Sequence, residues 1–154
     1  MITAYAASAQ EMQSLGKELS KQLLPGDVLL LSGEMGAGKS ELCRGVARGL
    51  KIKGPVTSPT FTILNMYEEG SIPFHHFDFY RIHDGEELLE SGLDELIGGL
   101  SITAIEWHEK APDLMPDDCL EIIIKPCDDG SKREIRFIPH GAFRDLNDFF
   151  AVPL

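Results

Sequence analysis

Leu29–Gly45 reads LLLSGEMGAGKSELCRG. Val28 and the three leucines form an apolar run without polar alternation, which suits a strand buried on both faces of a parallel sheet. The run ends at Gly33, and Gly33, Gly38, Lys39 and Ser40 then fill the pattern G-x-x-x-x-G-K-[ST], with Gly36 inside it. Glycines there let the backbone turn its N–H groups inward around a phosphate chain, and a helix opening at Lys39 adds the positive end of its dipole. The spacing predicts a phosphate cradle at Gly33, Gly36, Ala37 and Gly38. Lys39 reaches the β- and γ-phosphates, Ser40 Oγ ligates Mg²⁺, and Glu41 follows in the first helical turn.

Outward from this stretch, strand and helix signals alternate. Upstream, Ile2–Ala6 reads as a short strand and Ser8–Leu24 as a helix, with Ser8 as cap and Met12, Leu15, Leu19 and Leu23 on one face. Downstream, Lys39–Leu50 reads as a helix, and KGPVTSPT as a loop. Strands are expected at Phe61–Met66, Phe74–Tyr80 and Ser101–Trp107, with an acidic helical stretch from Gly85 to about Ile97. DCLEIIIKP and KREIRFIP form a late strand pair around CDDGS, and Ala142–Phe150 a closing helix. The expected architecture is a single α/β domain over residues 1–154. It is a P-loop NTPase-like three-layer sandwich, mostly parallel with late antiparallel strands.

Composition narrows the partners. The chain has 154 residues, 43% of them hydrophobic, and a net charge of -11, which argues against a general binder of nucleic acid or membrane surfaces. Any RNA contact has to be local. Cys43, Cys119 and Cys127 show no C-x-x-C spacing, so reduced thiols in a cytoplasmic protein are expected. The start of the chain has neither a basic nor an apolar leader region, and no 18 apolar residues run together.

Against the acidic background, residues 39 to 53 hold Lys39, Arg44, Arg48, Lys51 and Lys53 with Glu41 as the sole acid. Arg44, Arg48 and Lys51 follow i, i+4, i+7 spacing, which places them on one helix face, either solvated or a docking surface. His75 and His76 adjoin Asp78, but neighbouring strand residues point to opposite faces and cannot share one ion.

A phosphate loop needs an acid from a neighbouring strand to hold Mg²⁺ or to orient the attacking water. Asp78 in FHHFDFYR and Glu106 in SITAIEWHE both qualify, and Glu106 ends an apolar run as such acids usually do. Neither N-K-x-D nor D-x-x-G occurs, so guanine specificity is not expected. Residues 84 to 121 carry twelve acids and one lysine, a poor match to the arginine-rich lid of a small-molecule kinase. An ATPase or ATP-driven switch fits best, with a kinase or an ATP-holding module without turnover as the alternatives.

GEMGAGKS, VTSPTFTILNMY, HFDFYRI, SGLDEL, IEWHEKAPDLMP and DDGSKREIRF occur in order along the chain. In order and spacing they resemble the bacterial TsaE (YjeE) family, the ATPase component of tRNA threonylcarbamoyladenosine (t6A) biosynthesis. The resemblance implies a small cytoplasmic ATPase using ATP and Mg²⁺. It would support TsaD and TsaB homologues, with tRNA engaged indirectly or weakly and no membrane. It implies Ser40 and Glu106 as Mg²⁺ ligands, Asp78 as a further acid of the metal and water shell, and Thr60 as a switch-like threonine. Trp107 beside the acid, Arg133, and the start of the first helix near Ala9 look like nucleotide contacts. Three positions depart from the family pattern: Met12 replaces a frequent threonine, Glu41 a small hydroxyl residue, and His108 a proline.

Overall fold

A computed structural model describes residues 1–146 of the chain. The elements are β1 (Ile2–Ala6), α1 (Ala9–Ser20), β2 (Val28–Ser32), α2 (Lys39–Gly49), β3 (Leu64–Tyr67), β4 (Phe74–Asp78), α3 (Gly85–Ser91), β5 (Ile102–Glu106), β6 (Cys119–Cys127) and β7 (Lys132–His140), with short 3-10 turns between them. One seven-stranded sheet runs in the order β1-β7-β6-β2-β5-β4-β3. The pairs β2–β5, β2–β6 and β4–β5 are parallel; β3–β4, β6–β7 and β1–β7 are antiparallel. Traced across the sheet, β1, β2, β4, β5 and β6 run one way and β3 and β7 the other. The carboxyl ends of β2, β4 and β5 therefore gather on one edge, where open α/β sheets place their ligands.

The unbroken apolar run of β2 serves two cores. Leu29 and Leu31 pack with Met12, Leu15, Leu42 and Val46 of α1 and α2, whereas Val28 and Leu30 join Phe77, Phe79 and Leu88 on the other face. Three layers result. On the first face α1 and α2 approach closely because glycine lines their contact. A Cβ on Gly16 would lie 2.2 Å from Leu42 O, one on Gly45 2.0 Å from Gln13 O, and one on Gly49 1.8 Å from Ser20 Oγ. This approach brings the start of α1 beside the loop that precedes α2.

Local chemistry shifts several boundaries from the expected ones. Ser8 caps α1, its Oγ accepting from Glu11 N at 3.1 Å, but the helix stops at Ser20. Pro25 disfavours helical backbone before it, and Asp27 Oδ2 takes the Leu24 N–H at 2.7 Å. The strand expected from Phe61 begins only at Leu64, because Thr62 N and Ile63 N close a turn onto Pro59 O and Ile63 adopts φ 69°. Gly92, left-handed at φ 76°, ends α3 and leaves Leu93–Leu96 as a separate 3-10 turn. Residues 142–146 of the expected closing helix are irregular, and the rest of it lies outside the described residues.

The basic face on α2 also resolves differently. The helix ends at Gly49, so Lys51, at φ 67°, is not on it. Arg44 Nε donates to Val56 O at 3.0 Å, and Arg48 Nη1 donates to Ile52 O at 2.6 Å and Gly54 O at 2.9 Å. Both arginines fasten the segment after the helix.

Candidate functional site

Between β2 and α2, Gly36 and Gly38 take left-handed backbone, at φ 81° and 114°, that residues with a Cβ rarely adopt. A Cβ on Gly38 would stand 2.9 Å from Cε at the flexible end of Met12, so the backbone conformation rather than space calls for glycine there. Met12, one of the three departures, thus packs against the loop. Lys39 opens α2 and folds back, Nζ donating to Gly33 O at 2.7 Å. The same Nζ is 3.7 Å from Glu106 Oε1 at the end of β5, and both side chains are less than a tenth exposed.

Asp78 and Glu106 are register partners across β4–β5, which brings the two candidate acids to one place. Asp78 Oδ2 accepts from Thr60 Oγ1 at 3.2 Å, and its Oδ1 accepts from Tyr80 N at 2.9 Å. Glu106 Oε2 accepts from His76 Nε2 at 2.8 Å. Burial pushes the Glu106 carboxyl up, but the His76 hydrogen bond and charge and the Lys39 ammonium outweigh it and hold Glu106 below its ordinary range. For His76 burial works against the charged ring, while Cys43 and Glu106 favour it and push the pKa up to about 10.

The pleat sorts the histidines as the alternation rule requires. Phe74 packs on the α1–α2 face and Phe77 on the other, so His76 and Asp78 share the first face. His75 turns away, its ring nitrogens meeting Leu96 O at 2.8 Å and Glu68 Oε1 at 3.2 Å. Among the described residues no cluster of three or more His, Cys, Asp or Glu side chains is arranged to hold an ion alone.

A cavity of about 460 Å³ opens over the loop. Gly36, Gly38, Lys39, Ser40, Glu41, Thr60, Asp78, Glu106 and Trp107 all line it, so most sequence-predicted residues converge here. A second cavity, about 260 Å³, shares Gly36, Gly38 and Glu41 with the first and holds Ala9, Ala37 and Arg133. Gly33 lines neither, and contributes its carbonyl to Lys39. Glu41 stands between the cavities with its carboxylate gathered by Gln13 Nε2 at 2.5 Å and by Arg44, so its charge is already paired. His108 Nε2 meets Ser32 Oγ at 3.1 Å beneath the loop.

Trp107 follows Glu106 at φ 58°, an uncommon conformation for a bulky residue. The turn lays its ring 5.0 Å from Tyr80 and 5.8 Å from Lys39 Nζ. Sequence reasoning missed Tyr80, Ser58 and Met35 as cavity lining, and His76 as the partner of Glu106. The signal for His76 was present, because H-x-D spacing puts it on the same strand face as Asp78.

Residues 6–135 match the family model described as threonylcarbamoyl adenosine biosynthesis protein TsaE. The chain belongs to the TsaE family. The TsaE of Bacillus subtilis strain 168 is 40% identical over 132 residues, covering 86% of this chain and 82% of that protein. The TsaE of Nostoc sp. PCC 7120 is 38% identical over 139 residues, covering 86% and 83%. The crystal structure of Bacillus subtilis YdiB superposes with a TM-score of 0.78 at 34% identity, covering 91% of this chain and 86% of that one. As a TsaE-family member the protein takes part in t6A biosynthesis on tRNA. No helix among its described residues is long and apolar enough to cross a membrane.

Proposed function

We propose that this TsaE-family chain binds ATP with Mg²⁺ and hydrolyses it in support of TsaD and TsaB homologues in the cytoplasm, with tRNA engaged through them. The observation that carries the reading is the buried Lys39–Glu106 pair, with Asp78 alongside, on the wall of the cavity that Ser40 and the glycine loop also line. The donor set fits the metal. Ser40 Oγ and the Asp78 and Glu106 carboxylates are hard oxygen donors, and Mg²⁺ is usually held by one or two carboxylates plus substrate phosphates. When bound, Mg²⁺ offsets the charge on the phosphate oxygens.

The remaining work falls to the chain. The loop amides at Gly36, Ala37 and Gly38 orient the phosphates, and Lys39 Nζ leaves Gly33 O to meet them. Asp78 and Glu106 accept hydrogen bonds from the attacking water and hold it in line. Trp107 and Tyr80 limit water access on one side, and Thr60, tied to Asp78, brings its loop to the same point. The second cavity, with Ala9 and Arg133, takes the nucleoside end.

The test is phosphate release from ATP with no acceptor added, with and without the partner proteins. Release sets a small-molecule kinase aside. Absence of turnover in the presence of partners leaves an ATP-holding module instead. Identification of proteins retained by the native chain tests the partnership.

A further inference from the structure

His76 lies behind the cavity wall and does not line it. It is fully buried in a strand whose neighbours Phe74 and Phe77 are also fully buried, and its ring lies 6.2 Å from that of Phe74. Its Nε2 is 2.8 Å from Glu106 Oε2 and 3.7 Å from Cys43 Sγ, so the ring bridges α2 and β5. Its Nδ1 is buried with no hydrogen-bond partner.

Buried polar groups are ordinarily satisfied, and an orphaned nitrogen is a cost that packing alone does not explain. A phenyl ring would fill this position beside Phe74 without that cost. What imidazole adds is one N–H aimed at Glu106. The other carboxylate oxygen, Oε1, is 3.7 Å from Lys39 Nζ, on the cavity side. A carboxylate with one oxygen anchored cannot rotate freely about its last bond.

We propose that His76 is a positioning residue for Glu106. Its Nε2–H fixes the carboxylate plane so that Oε1 stays toward Lys39 and the cavity. Both the Nε2–H tautomer and the charged ring can donate this bond, so the role does not depend on protonation. The inference rests on the reading of the cavity as a Mg–ATP site. Partners that orient metal ligands in this way are commonly worth ~10–100-fold in metal affinity or activity.

The experiment compares His76→Phe, which keeps ring volume, with His76→Gln, whose amide nitrogen can reproduce Nε2. Mn²⁺ affinity in the presence of ADP is read by electron paramagnetic resonance, alongside kcat and KM for ATP and a thermal melt. His76→Phe should weaken Mn²⁺ binding ~10-fold and lower kcat by ~10–100-fold, with KM for ATP nearly unchanged. His76→Gln should recover most of both. In a Glu106→Gln background, His76→Phe should add nothing, as residues acting through one another are non-additive.

Should phenylalanine not be accommodated, His76→Asn, whose amide falls short of Glu106, must show the same loss. Wild-type Mn²⁺ affinity and kcat in His76→Phe, or an equal further loss in the Glu106→Gln background, would overturn the assignment. Wild-type protein that binds no Mn²⁺ with nucleotide would overturn the Mg–ATP reading itself, and this inference with it.

Discussion

Asp78 and Glu106 are direct neighbours across the parallel β4–β5 ladder, but they are anchored by different parts of the chain. Glu106 is held by His76 and Lys39, both buried. Asp78 is held by Thr60, in the loop before β3, and by its own turn at Tyr80. The His76 and Lys39 cations beside Glu106 outweigh its burial and keep that carboxyl below its ordinary range. A displacement of the Thr60 loop therefore acts on Asp78 first and leaves Glu106 in place.

Lys39 and Ser40 have separable tasks. Lys39→Ala should abolish ATP binding, whereas Ser40→Ala should weaken the Mg²⁺-dependent part of it. Calorimetric titration of ATP with and without Mg²⁺ checks both, and unchanged affinity in Lys39→Ala contradicts the phosphate-loop assignment.

Glu106→Gln should lower ATP turnover by at least ~10²-fold while leaving ATP binding nearly intact, because positioning of water and metal matters most in the transition state. Asp78→Asn should act in the same direction and more mildly. Phosphate-release kinetics paired with equilibrium binding separates the two effects. A variant pair in which only Asp78 matters would reverse the assignment of the leading acid.

The His76–Glu106 pair makes stability depend on pH in two windows. His76 is raised from 6.5 to about 10, so its contribution is complete below pH 6.5 and is lost as pH rises toward 10. Glu106 is held below its ordinary 4.5, so its contribution is complete above pH 4.5 and is lost only as pH falls through its lower folded value. Urea midpoints measured against pH should show the advantage of wild type over His76→Phe shrinking between pH 6.5 and 10. Glu106→Gln should flatten the acid side. A constant difference across the alkaline range would contradict the raised value.

Gly45 faces Gln13 O with room for no side chain. Gly45→Ala should destabilise the protein by about 1–3 kcal/mol through overpacking, read as a lower urea midpoint. Because α1 would have to move away, and α1 carries Ala9, nucleotide affinity should fall as well. Gly36→Ala meets nothing within 4 Å but carries the strain of φ 81°, so its effect should be confined to the loop.

Arg48→Ala should loosen the segment that follows α2, because its guanidinium holds Ile52 O and Gly54 O. The loss should be about 1 kcal/mol by urea unfolding. Hydrogen exchange at residues 52–56 should rise while the amides of β2 keep their protection.

What was legible in the sequence followed from periodicity and from the glycine loop. The double-faced apolar run of β2, the Ser8 cap and the strand pair around CDDGS have short-range causes. Ser40, Asp78 and Glu106 are far apart in sequence, and the parallel sheet brings them to one cavity by ending β2, β4 and β5 on one edge. Three things were hidden because they depend on distant partners. The arginines of α2 read as a free basic face until Val56, Ile52 and Gly54 carbonyls came within reach. Glu41 was legible as an acid in the first helical turn, but not its pairing with Gln13 and Arg44. The separation of His75 from His76 was legible, but the partner of His76 was not, because Glu106 lies thirty residues away.

The chain contains one tryptophan, and the left-handed turn at Trp107 puts it between Tyr80 and Lys39. All indole emission therefore originates at the rim of the cavity, with no second emitter to dilute it. An ammonium that swings from Gly33 O toward a phosphate changes the field on that ring directly. The unmodified protein thus carries its own optical gauge of occupancy, able to follow ligand arrival and departure in stopped flow without a dye or a labelled nucleotide.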